Sequence, residues 1–83
     1  MTIDPGLAMP VYRQVAAVIR GRIESGEIPD GRAIPSEKQL MGEFGIARET
    51  ARKAVRVLRD AGLVEIVQGR GAFVIPAADR PKP

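Results

Sequence analysis

The stretch Ser36-Glu37-Lys38-Gln39-Leu40-Met41-Gly42-Glu43-Phe44-Gly45-Ile46-Ala47-Arg48-Glu49-Thr50-Ala51-Arg52-Lys53 decides the fold. Ser36 with Gln39 three residues on is the S-x-x-Q form of a capping box. The hydroxyl accepts the backbone N–H of the third helical residue, and the amide side chain reaches back. A helix therefore opens at Ser36, with Leu40, Met41 and Phe44 on its buried side. Gly45 stops it after barely two turns, because glycine takes the left-handed conformation in which helices commonly end. Ile46 leads into the next helix, expected from Ala47 to about Ala61 and closed by Gly62. Its core face is Ala51, Ala54, Val55 and Leu58, and Arg48, Arg52 and Arg56, four apart, line its other side. A short helix, a turn with glycine and a longer basic helix form the helix-turn-helix pattern.

Working outward toward the N-terminus, Pro29-Asp30-Gly31 is a turn signal, and Arg32-Ala33-Ile34 reads as a very short strand stopped by Pro35. Before it, Tyr12, Val15, Ala16, Ile19 and Ile23 recur at the spacing of one helical stripe. Pro10 suits the start of that helix and Ser25-Gly26 its end, with Arg13, Gln14, Arg20 and Glu24 largely outside the stripe. Residues 1–9 lack periodicity and are expected to be a flexible arm. Toward the C-terminus, Leu63–Val67 and Ala72–Ile75 are β-branched runs around Gln68-Gly69-Arg70-Gly71, which predicts a hairpin with a four-residue tip. Residues 76–83 hold three prolines and are expected to be a disordered tail. The fold class is therefore mainly α with a small β-hairpin: a winged helix-turn-helix of three helices plus wing over residues 10–75.

The 83 residues include no cysteine and no histidine, which removes disulfides, most nucleophile–base pairs and the usual transition-metal ligands. No Walker loop or GxGxxG stands in the chain, so it reads as a non-enzyme with no cofactor. No apolar run approaches the roughly 20 residues of a membrane span, and no signal peptide opens the chain, which points to a cytoplasmic protein. Net charge is +3, and its placement is informative. Residues 48–59 hold five cations and one acid, 5 − 1 = +4, which leaves 3 − 4 = −1 for the rest of the chain. The positive field sits on one helix, and an anionic partner is expected to face it.

In a helix-turn-helix the second of the paired helices lies in the major groove with its first residues against base edges. Arg48, Glu49 and Arg52 fall there, and arginine can bond guanine O6 and N7 together. Glu49 reads first as an acid favoured by the helix dipole, and more sharply as an acceptor for a cytosine N4 or as a group that orients Arg52 or Lys53. Thr50 can bond a phosphate or touch a thymine methyl. Arg56 and Arg59, farther along the helix, either contact DNA or only supply field, Arg59 having Asp60 to pair with, and Lys53, off the arginine stripe, reaches a phosphate or nothing. Ser36 is first a cap, but the Ser36–Lys38 amides and Lys38 itself suit a phosphate. The tip Gln68-Gly69-Arg70 is thin enough for the minor groove, whose negative potential attracts Arg70, although a plain tight turn explains it too. Tyr12 and Phe73 read as core rather than as a stacking platform.

These residues resemble a known family. Pro10-Val11-Tyr12-Arg13-Gln14-Val15, Ile34-Pro35-Ser36-Glu37, Phe44-Gly45-Ile46-Ala47-Arg48, Thr50-Ala51-Arg52-Lys53-Ala54, Gly62-Leu63-Val64 and Gln68-Gly69-Arg70-Gly71-Ala72-Phe73-Val74 are similar, in order, to the N-terminal domain of GntR-type bacterial transcription regulators. The resemblance implies a winged helix-turn-helix that binds a double-stranded operator, palindromic and met by a homodimer. By position it implies DNA contacts at Lys38, Arg48, Glu49, Thr50, Arg52, Gln68 and Gly69. Ala47 departs from the Ser or Thr frequent there, and Glu49 from a common Thr. The family carries a C-terminal effector-binding and dimerising domain after the wing. This chain stops at Pro83, as a cut piece or a stand-alone short form would, and no small-molecule effector site is expected in it.

The expectation is a sequence-specific transcription regulator, a repressor, that reads the major groove with residues 47–61 and the minor groove with 68–71. The rival is a winged-helix adaptor that binds proteins; the basic outer face of the third helix argues against it.

Overall fold

The computed structural model describes residues 3–81. α1 runs Val11–Glu24 behind Pro10, and five of its apolar residues, Val15, Ala16, Val18, Ile19 and Ile23, are buried. Val18 joins the expected stripe, whereas Tyr12 is only half-buried at its edge. α2 runs Glu37–Phe44 and α3 runs Arg48–Asp60. Both bonds of the predicted capping box are made: Gln39 N–H donates to Ser36 Oγ at 3.1 Å, and Ser36 N–H to Gln39 Oε1 at 2.8 Å. Gly45 stops α2 with φ of 64°, the left-handed region that a side chain would strain.

α3 packs on α1 through Ala51, Ala54 and Leu58, and Leu40 of α2 closes the same core. Alanine at two of those positions lets the helix axes approach closely. The chain then turns at Gly62 into β1, Val64–Val67, which pairs antiparallel with β2, Gly71–Val74. Val64 faces Val74, and Val67 faces Gly71. The hairpin tip is Gln68-Gly69-Arg70, three residues rather than the four expected, because Gly71 joins the ladder. Arg70 N–H donates to Val67 O at 3.0 Å, and Gly69, third in that turn, has φ of 78°. Positive φ at the third position is the type II geometry, which favours glycine. The predicted short strand appears as a single bridge, Ala33 to Phe73, held by Ile34 N–H to Ala72 O and Val74 N–H to Arg32 O.

Two segments read from sequence as unstructured make specific contacts. Gln14, which falls outside the apolar stripe, is buried. Its Nε2 donates to Asp4 O at 2.7 Å and Met9 O at 2.8 Å, and its Oε1 accepts Asp4 N–H at 2.8 Å. A buried amide is costly unless its bonds are made, and here the chain before α1 makes them. After the wing, Ala77–Asp79 form a 3-10 turn. Arg80 there donates to Ile75 O at 2.7 Å and pairs with Asp30 at 2.7 Å, while the Pro81 ring lies against Gly62. Residues 1–2 and 82–83, at the ends of the expected arm and tail, lie outside the described residues.

Candidate nucleic-acid interface

α3 begins without a side-chain cap, since Ala47 in extended conformation (φ −73°, ψ 158°) precedes it. The first N–H groups of a helix have no partner within it, so the amides at the start of α3 stay available beside the side chains of Arg48, Glu49 and Thr50. At α2 the situation differs. The capping box engages the amides of Ser36 and Gln39. The amides of Glu37 and Lys38 remain for an anion.

The outer face of α3 carries Arg48, Arg52 and Arg56, with Lys53 at its edge, all exposed. The sequence reading did not foresee their partner on α2. Glu37 Oε1 lies 3.5 Å from Arg48 Nη1, and Glu37 Oε2 lies 3.6 Å from Arg52 Nε. Glu49 adds Arg52 at 3.4 Å and Arg56 at 4.0 Å. Two carboxylates thus bridge three guanidinium groups. Exposed pairs of this kind contribute about 0–1 kcal/mol each. They aim the arginines without fixing them, and a phosphate or a guanine edge offering two acceptors can replace them. Glu37 sits next to Ser36 in sequence, and only the crossing of α2 and α3 brings it to residues eleven and fifteen positions away.

A groove open to solvent lies between the start of α2, α3 and the wing. Ser36, Lys38, Arg48, Arg52, Gly69 and Arg70 line it, so six of the nine expected site residues share one concave surface. Glu49 lies on the outer face of α3, and Thr50 is half-buried. Gln68 lines an adjoining depression, which shares Arg59 and Ile66 with this groove. Lys53 is not idle: its Nζ stands 5.8 Å from the centroid of the Tyr12 ring, and Arg13 Cζ stands 5.6 Å from the same centroid. Arg59 pairs with Asp60 at 3.1 Å.

One ion pair away from this surface shifts its groups. Arg22 at the end of α1 donates to both oxygens of Glu43 on α2, and that bonding holds the Glu43 carboxyl below its ordinary range and raises Arg22. It ties α1 to α2 and has no part in the basic face. Among the described residues no cluster of acidic side chains could hold a metal ion, and no helix is long and apolar enough to cross a membrane.

Against known proteins, residues 11–74 match the family model for bacterial regulatory proteins of the gntR family. The chain belongs to this family. The mannosyl-D-glycerate transport/metabolism system repressor MngR of Escherichia coli is 45% identical over 65 residues, 78% of this chain and 27% of that protein. The HTH-type transcriptional repressor NagR of Bacillus subtilis is 35% identical over 74 residues, 89% of this chain and 30% of that protein. The chain therefore spans under a third of these relatives. Among solved structures, the DNA-binding domain of AraR in complex with operator ORE1 superposes with a TM-score of 0.78 at 41% identity, covering 86% of this chain and 87% of that one. The three helices and two-stranded hairpin are the winged helix of gntR-family DNA-binding domains.

Proposed function

We propose that this gntR-family chain is a sequence-specific, double-stranded-DNA-binding domain of a transcription regulator acting as a repressor. The observation that carries the reading is the basic outer face of α3, bordered on one side by the α2 start and the wing tip. In a winged helix-turn-helix that face lies in the major groove. Arg48 and Arg52, with Glu49 and Thr50, then meet base edges, and Glu37 and Glu49 set the arginines' approach. Ser36 and Lys38 take a phosphate at the α2 start, where the helix dipole favours an anion. Gln68, Gly69 and Arg70 enter the minor groove at the wing tip. The two relatives named above are repressors, and a similar domain has been solved on an operator; both support the assignment. We further propose a palindromic operator met by two copies, residence in the cytoplasm, no enzymatic activity, and no small-molecule effector bound within these residues.

Selection of bound sites from a random DNA pool tests the proposal. The expected result is an enriched motif of two inverted half-sites, centred about 10 base pairs or a multiple apart. A pool that stays random after repeated rounds contradicts it. A single unrepeated half-site would keep DNA recognition and remove the two-copy arrangement.

A further inference from the structure

The ion pairs sort the cations near α3 into two kinds. Arg48, Arg52 and Arg56 each have a carboxylate of Glu37 or Glu49 within 4.0 Å. Lys38, Arg70, Arg13 and Lys53 are exposed and have none among the described residues. The unpaired cations lie on two flanks. Lys38 and Arg70 line the groove on the side of α3 that carries Val55. Arg13 lies with Val57 and Ala61 on the opposite side, where α1 packs. Helical geometry of 100° per residue puts Lys53 between the outer face and that α1 side. The Tyr12 ring, itself packed against the core, stands under both Arg13 and Lys53. A cation is attracted to the face of an aromatic ring, so one ring draws both charges to the same flank of α3. The start of α1 adds to the field, because its first turn holds no acid and no side chain caps it.

We infer that Tyr12, Arg13 and Lys53 form a second backbone clamp, which takes phosphates on the DNA strand flanking α3 opposite the wing. This rests on the DNA-binding reading above and extends it. A helix in the major groove, about 12 Å wide, has one sugar–phosphate backbone on each side. The α2 start and wing face one of them, and the α1 start faces the other. Two-sided gripping fixes how deeply α3 sits and its angle in the groove, while carrying no sequence information of its own.

The test is the salt dependence of affinity, measured by fluorescence anisotropy with the whole chain on its selected duplex and on a scrambled one. Arg13→Ala and Lys53→Ala are compared with the unsubstituted chain and with Arg20→Ala, whose arginine lies two turns along α1 and pairs with Glu24. Thermal melts establish that each variant is folded. Each of the first two substitutions is expected to make the slope of log affinity against log salt shallower by about 0.9. Binding of both duplexes should weaken by the same factor and the selected motif should stay the same, with Arg20→Ala matching the parent. Ethylation of phosphates on the strand away from the wing should block the parent chain and lose its effect on the double variant. Slopes equal to the parent's, or weakening confined to the selected duplex, would overturn the clamp and leave DNA binding in place. Failure of the unsubstituted chain to bind any duplex would overturn both.

Discussion

Along α3, the side turned to the protein carries Ala51, Ala54 and Leu58, each at most 1% exposed, while the side turned to solvent carries Arg48, Arg52, Lys53 and Arg56, all exposed. The inner side places the helix: two alanines allow close approach to α1, and Leu58 fills the space below them. The outer side adds little to folding, since its ion pairs are exposed and individually weak. The contrast implies that stability and recognition are separable on one thirteen-residue element. Substitution on one side should leave the other property almost untouched.

The largest effect should come from breaking the inner side. Leu58→Ala removes a fully buried side chain and is expected to cost about 2–5 kcal/mol in urea unfolding, enough to threaten a domain this small. DNA affinity of whatever fraction remains folded should be unchanged. Next, Arg52→Ala strikes the outer side. It should cost about 1–3 kcal/mol on the selected site and relax base preference at one position, with the thermal midpoint within a few degrees of the parent. Equal loss on random DNA would instead mark Arg52 as a phosphate contact.

The start of α3 sharpens the comparison, because it lies between the two sides. Ala47 already has the backbone angles of a capping residue but no side chain to cap with. Ala47→Ser is therefore expected to stabilise the fold by about 1 kcal/mol, read as a higher urea midpoint.

The smallest effect should come from a pair remote from α3. Glu43→Gln removes the charge facing Arg22 and one of its two acceptor oxygens, and should cost under about 1 kcal/mol at pH 7. Because folding lowers the Glu43 carboxyl from its ordinary 4.5, that stabilisation is present above pH 4.5. It is lost as pH falls through the lowered folded value. Urea titrations of the variant and parent should differ at pH 7 and converge at strongly acidic pH.

The elements were legible because their ends carry local chemistry. Ser36 with Gln39 and the stops at Gly45 and Gly62 place α2 and α3 to within a residue. What sequence did not reveal depends on distant pieces meeting. Gln14 reads as surface because periodicity counts apolar residues, yet its amide satisfies Asp4 and Met9. Glu37 becomes an arginine partner only through the crossing angle of two helices. Arg80 finds Asp30 across fifty positions. Gly71 shortens the hairpin tip because glycine serves in a turn and in a ladder alike, and composition cannot tell which. Six of the nine expected contact residues line one groove, because they stand at the start of α2, along α3 and at the wing tip, and the fold sets those three places around one concavity.

The central claim is that the outer face of α3 binds duplex DNA and discriminates among sequences. Anisotropy titration of the chain against its selected duplex and a scrambled duplex, from low to physiological salt, tests it most directly. With about six phosphates neutralised, log affinity should fall against log salt with a slope near −5, and the selected duplex should bind at least ~1,000-fold more tightly than the scrambled one at physiological salt. Equal affinity for the two duplexes, or no binding tighter than micromolar at low salt, would contradict the account.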